Sequence, residues 1–256
     1  MLLALGLGLL NTGMQSPNTL ELIEKSLSKT LVVGHRGAAA NKPENTVASF
    51  EEAIASGADA TECDIRLSQD GHIVVMHDAT LDRTTSLKGN VADTPLSRMQ
   101  SAGVPTLADL TKITKNRIVL VVEIKGGEGI EKKMIDHLND EGMREQSIIF
   151  SFGVQHIAKV EELDPRFFSV WLISKKQTPA NMEATFAEAK RIGASGLGFS
   201  YNNIVPEMIL EARKRKIPVF VWTVPPGPEV EKLQKLHVNF IITDHPRDVL
   251  KRLTGS

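Results

Sequence analysis

Residues 118–125 read IVLVVEIK, a short β-rich run closing on Glu123 and Lys125, which sit two apart and so share one face of a strand. Runs of the same kind recur on both sides. Upstream lie 31–35 (LVVGH) and 58–64 (ADATECD); downstream lie 147–152 (SIIFSF), 167–173 (FFSVWLI), 195–199 (SGLGF), 218–224 (PVFVWTV) and 239–243 (NFIIT). Apolar residues at helical spacing separate them. Val47, Phe50 and Ile54 follow the first run, with Asn45 as the expected N-cap. Met182, Phe186 and Ala189 form another face, Met208, Ile209 and Ala212 a third behind Pro206, and Leu233 with Leu236 a fourth. Eight strands alternating with helices are how a parallel α/β protein reads, and a (β/α)8 barrel accommodates them.

One β-like run breaks the rhythm. His72 to His77 follows Ile65-Arg66-Leu67-Ser68 across Gln69-Asp70-Gly71, and an Asp-Gly pair between such runs signals a hairpin. With Asp70 and Gly71 as the turn, simple antiparallel pairing sets His77 opposite Asp64. Residues 79–105 then form an excursion before a helix at 106–115 restores the alternation. No linker-like or low-complexity tract interrupts the chain, which reads as one domain.

Composition narrows the function. The chain has 256 residues, 41% hydrophobic and 24% charged, as ordinary globular proteins do. Its 30 Lys and Arg balance 31 Asp and Glu, so the basic field that nucleic acid requires is missing. Cys63 is the single cysteine, which excludes an intramolecular disulfide and a thiolate metal site; a small buried apolar role suits it. Residues 1–10, MLLALGLGLL, lack the preceding positive charge of a signal peptide and are too short to span a bilayer. A cytoplasmic protein is expected, with a weak signal, an anchor, or a true start at Met14 as alternatives.

Active sites of such barrels lie at the C-terminal ends of the strands. There the sequence places His35-Arg36-Gly37, Glu62 and Asp64 on one strand face, His77-Asp78, Glu123 with Lys125, and Trp222-Thr223. Three carboxylates meeting at one rim repel unless protonated or bound to a cation, and oxygen ligands favour Mg²⁺ or Ca²⁺, with Mn²⁺ as an alternative. Two histidines add groups that exchange protons near neutrality. Arg36 and Lys125 offer phosphate donors. Taken singly, each has a plainer reading: solvated acids, structural histidines, a Glu123–Lys125 ion pair, a packing tryptophan. Their joint arrival at one end of one barrel carries the argument.

The ordered strings VVGHRG (32–37), PENT (43–46), ECDIRLSQDGHIVVMHD (62–78), LDRTT (81–85), VPTLADL (104–110), EIK (123–125), SF (151–152), WTV (222–224) and IITDHP (241–246) resemble the glycerophosphodiester phosphodiesterases, relatives of the phosphatidylinositol-specific phospholipases C. The resemblance implies a TIM barrel over residues 31–256, after an extension at 1–30, with a small insertion after the second strand at about 79–105. It implies one divalent cation on Glu62, Asp64 and Glu123, and catalysis by His35 and His77, His35 as base and His77 as acid. Arg36, Glu44 and Lys125 would line the phosphate and metal site, with Trp222 and Phe152 beside the glycerol or leaving group. The implied partner is a small glycerophosphodiester, cleaved to an alcohol and sn-glycerol 3-phosphate; membrane association and oligomeric state stay open. A lysophospholipase D would instead need Leu87, Val91, Leu96 and Met99 to hold an acyl chain, and a non-catalytic phosphate-binding barrel would need a lost site residue. One departure is visible. Pro225-Pro226-Gly227 follows the WTV string where relatives usually carry Asn, which bears on substrate preference.

Overall fold

The computed structural model describes residues 16–255. Nine strands lie among them: β1 (Leu31–Gly34), β2 (Ala60–Leu67), β3 (Ile73–Val75), β4 (Val119–Gly126), β5 (Ser147–Ser151), β6 (Phe168–Ile173), β7 (Gly196–Ser200), β8 (Val219–Trp222) and β9 (Phe240–Thr243). All but β3 are parallel and closed: β1 pairs with β9 on one side and with β2 on the other, through Val33↔Ala60 and Gly34↔Thr61. Helices Val47–Ala55, Leu107–Thr114, Ile130–Asp140, Val154–Leu163, Pro179–Arg191, Pro206–Lys214, Glu229–Lys235 and Pro246–Thr254 each return the chain to the next strand or close the circuit. The molecule is a TIM barrel.

Strand alternation sorts the side chains into two shells. Leu31 and Val33, Ala60, Val119 and Val121, Ile148 and Phe150, Val170 and Leu172, Phe220, Phe240 and Ile242 fill the interior. Their neighbours Val122, Ile124, Ile149, Leu197, Phe199 and Val221 face outward to the helices. On β7 the interior positions are Gly196 and Gly198; a Cβ on Gly198 would lie 2.4 Å from Leu172 Cδ2. The space so left is taken by aromatic neighbours. Phe220 stacks on Phe240 with centroids 4.2 Å apart and meets the edge of Phe150 at 5.1 Å. This layer is the floor of the polar site above it.

The lower mouth is covered by helix Thr19–Ser26, which lies within the segment expected to be a mere extension. Asn18 caps it by accepting from Leu20 N at 2.8 Å. Leu22 packs in the interior cluster with Leu31 and Phe240, Thr19 Oγ1 donates to Ser147 O, and Asn239 Nδ2 donates to Ser26 O. The apolar run at residues 1–10 lies outside the described residues.

Two local expectations need correction. The hairpin loop holds three residues, with Ser68 N bonded to His72 O and Gly71 at φ +77. Ile65 therefore faces Val75, and Met76, not His77, lies opposite Asp64, donating its N–H to Asp64 O at 2.9 Å. Helix Val47–Ala55 is capped by Thr46 rather than Asn45. The excursion after β3 folds on a small core of its own, Val74, Met76, Leu81, Val91, Met99 and Val104, with Leu87 and Leu96 packed against it. Of the apolar side chains that an acyl-chain channel would need, Val91 and Met99 are buried in this core and Leu87 and Leu96 are partly buried against it.

Candidate active site

The interior alternation that is apolar below turns polar at the strand ends. Ala60 is followed on its face by Glu62 and Asp64, Val121 by Glu123 and Lys125, Phe220 by Trp222, and Ile242 by Asp244. Beyond β1 the chain bends sharply. Arg36 has φ +51 and Gly37 φ +84, and a Cβ on Gly37 would lie 2.2 Å from Ser49 Oγ, so only glycine fits there. That bend aims the Arg36 N–H at Glu62 Oε2, 2.9 Å away.

Ligand oxygens of Glu62, Asp64 and Glu123 lie within 4.8 Å of one another, and all three side chains are buried. Glu62 Oε1 has no hydrogen-bond partner among the described residues. Burial, then the charges of Asp64 and Glu123, push the Glu62 carboxyl well above the usual range. Burial and the Asp64 charge push Glu123 up to about 7. Asp64 is held low: burial opposes, but Lys125, Arg36 and His77 outweigh it. Lys125 Nζ lies 2.6 Å from Glu123 Oε1 and 3.2 Å from Asp64 Oδ1, and Arg36 Nε lies 3.4 Å from Asp64 Oδ2. Two side-chain cations thus face three carboxylates. An all-oxygen set with a buried, unpaired carboxylate oxygen fits a hard divalent ion.

Each histidine carries a carboxylate on the same ring atom. His35 Nδ1 is 2.7 Å from Asp244 Oδ1, and His77 Nδ1 is 2.6 Å from Asp78 Oδ1. A carboxylate accepts, so Nδ1 holds the proton and Nε2 is left for chemistry on each ring. Burial lowers His77 against the opposing pull of Asp64 and Asp78. Arg66 Nε and Nη2 both donate to His77 O. His35, Arg36, Glu62, His77, Glu123, Lys125, Phe152 and Trp222 line one cavity of about 120 Å³. Phe152, 40% exposed, stands at its rim edge-on to Trp222 at 5.3 Å, with Lys125 Nζ 5.6 Å from the Phe152 centroid. Trp222 Nε1 is buried without a hydrogen-bond partner among the described residues. Glu44 stands one step back, accepting from Arg36 Nη1 at 2.9 Å.

All ten site residues expected from the sequence thus fall at one end of the barrel. Four others belong with them. Asn45, at φ +57, donates to Asp64 Oδ2 at 2.8 Å, which is why it does not cap its helix. Asp244 was findable by parity, two beyond Ile242 on the interior face, and Asp78 by adjacency to His77. Arg83, in the insertion, bonds both Asp78 and Glu44; the LDRTT string at 81–85 marked the segment but assigned Arg83 no role.

Residues 35–248 match the model of the glycerophosphoryl diester phosphodiesterase family. A glycerophosphodiester phosphodiesterase of Caldanaerobacter subterraneus is 35% identical over 240 residues, covering 87% of this chain and 97% of that protein. Two solved structures share the fold. One, from Agrobacterium tumefaciens, provisionally named a glycerophosphoryl diester phosphodiesterase, superposes with a TM-score of 0.81 at 22% identity, over 89% of this chain and 98% of that one. The other is an Oleispira antarctica phosphodiesterase in complex with the product sn-glycerol-3-phosphate, with a TM-score of 0.78 at 22% identity, over 90% and 98%.

Proposed function

This chain belongs to the glycerophosphoryl diester phosphodiesterase family and is an enzyme of that class, and from that premise we propose that it hydrolyses small glycerophosphodiesters, such as glycerophosphocholine and glycerophosphoethanolamine, to sn-glycerol 3-phosphate and the free alcohol. The observation that carries the reading is the pair of His–Asp couples flanking a buried three-carboxylate cluster in one cavity. The product bound by the Oleispira antarctica protein supports the same product here. Glu62, Asp64 and Glu123 would hold one divalent ion, Mg²⁺, Ca²⁺ or Mn²⁺. Such an ion, when bound, neutralises charge on the phosphoryl oxygens.

The chain's own groups then divide the rest. Arg36 and Lys125 hold the phosphate, the first as a planar fork and the second as a point charge. His35 Nε2, its tautomer set by Asp244, takes a proton from the attacking hydroxyl, that of water or the glycerol 2-hydroxyl. His77, entering as the imidazolium with a proton on both ring nitrogens, gives the Nε2 proton to the alcohol oxygen as its bond to phosphorus breaks. If the 2-hydroxyl attacks, water opens the cyclic product with the two histidines exchanging roles; in either case one water is consumed per ester cleaved. Phe152 and Trp222 wall the glycerol or leaving group. The catalytic unit is the barrel from residue 31 onward.

Purified protein incubated with glycerophosphocholine and Mg²⁺, Ca²⁺ or Mn²⁺ should release glycerol 3-phosphate and choline, and excess chelator should stop it. Release of phosphocholine and glycerol, or full turnover in chelator, would overturn the cleavage site or the metal requirement respectively.

A further inference from the structure

The insertion touches the chemistry through one side chain. Arg83 Nε donates to Asp78 Oδ2 at 2.7 Å and Nη2 to Asp78 Oδ1 at 3.2 Å. The other edge of the same guanidinium takes Glu44, Nη1 to Oε2 and Nη2 to Oε1, both at 2.7 Å. Asp78 Oδ1 is the oxygen that receives His77 Nδ1. The body of Arg83 is held by its neighbours: Leu81 is fully buried in the insertion's own core, its N–H reaches Gly89 O, and Thr85 N returns to Leu81 O.

A planar fork gripping two carboxylates fixes the plane of each. Without it, the Asp78 carboxylate could turn about its own bond, and the ring that hangs on it would turn too. The His35 couple has no such need, because Asp244 directly follows barrel strand β9 and its partner directly follows β1, strands already paired in register. His77 lies past the end of β3; Arg66 holds its carbonyl, while its ring hangs on Asp78, which Arg83 of the insertion grips.

We propose that Arg83 is a positioning residue: it holds the His77–Asp78 couple in the orientation that protonates the leaving group, so the insertion governs bond cleavage rather than substrate binding. The inference rests on the acid role given to His77 above.

The test compares glycerophosphocholine, whose alkoxide must be protonated, with a p-nitrophenyl ester of glycerol phosphate, whose phenolate leaves unaided. Both are assayed in saturating divalent ion. Arg83→Gln should lower kcat on glycerophosphocholine about 10- to 100-fold, the usual loss for an outer partner of a site residue, with KM and p-nitrophenyl turnover little changed. Arg83→Lys, which keeps the charge and loses the fork, should fall between, and it keeps the comparison open if the Gln variant loosens the insertion. Because both residues act on one step, His77→Ala with Arg83→Gln should be no slower than His77→Ala alone. Selective His77→Ala beside an Arg83→Gln loss that is equal on both substrates, or that lies in KM, or that adds fully to His77→Ala, would overturn the inference alone. Equal loss on both substrates for His77→Ala itself would overturn the acid assignment and the inference together.

Discussion

The two mouths of the barrel are built from the same strands and treat carboxylates differently, the lower pairing single acids and the upper gathering three buried ones. At the lower mouth, Asp164 is held down to about 2 by hydrogen bonds from Arg166, and Asp59 accepts from Val32 N and Lys25. Leu22 and its helix close the apolar interior there. At the upper mouth, Glu62 is buried, unpaired at one oxygen, and pushed well up in pKa by burial and by its acidic neighbours. The lower end pairs these two acids with cations and so stabilises the fold. The upper end gathers three buried carboxylates against two side-chain cations and leaves one Glu62 oxygen unpaired, an arrangement that costs stability and could hold a cation. Activity and stability should therefore separate along the barrel axis.

The largest effect should come from Glu62→Gln. Replacing one oxygen of the proposed ligand carboxylate, whose Oε2 also receives the Arg36 N–H, should lower kcat by about 10³-fold or more, the scale of losing a principal electrostatic stabiliser. In chelator, the melting temperature should stay level or rise, because one repelling charge is gone. A variant that loses both activity and several degrees of stability would show that the upper acids stabilise the fold after all.

Leu22→Ala should do the reverse. Leu22 is 8% exposed and packs under the barrel, so truncation should cost about 2–4 kcal/mol in denaturant unfolding, with kcat unchanged. Loss of turnover in the folded variant would mean that the two ends are coupled. Asn18→Ala removes the cap of the same helix and should cost about 1 kcal/mol, again without touching kcat.

The smallest effect concerns pH. The Asp164 carboxyl titrates at about 2 in the folded chain against an ordinary 3.8. The folded state thus binds this proton less readily, and the stabilisation is present above the unfolded value and lost as pH falls from about 4 toward 2. The melting-temperature gap between the native chain and Asp164→Asn should shrink between pH 5 and pH 3. A constant gap would assign the effect to packing.

Legibility from sequence followed the range of the physics involved. Strand alternation is local, so the placing of Glu62 with Asp64 and of Glu123 with Lys125 on the inner face could be read directly, as could the eight-fold strand–helix order. Helix Thr19–Ser26 escaped because it is short and its apolar contact is with strands far along the chain. The hairpin escaped by one residue. Gln69-Asp70-Gly71 forms a three-residue loop with only Gly71 left-handed, where a two-residue turn was expected, and each extra loop residue moves the pairing by one.

The sequence by itself determined the barrel, the end of it at which the candidate site residues gather and the residue types gathered there, because periodicity and motif spacing are written in neighbouring positions. Only the tertiary structure decided who holds whom. His35 finds Asp244 across 209 positions because the sheet closes β1 onto β9. Arg83 finds Glu44 across 39 because the insertion folds back over the first loop. Closure and folding back are properties of the whole chain, and no local pattern encodes which distant carboxylate a nitrogen will meet.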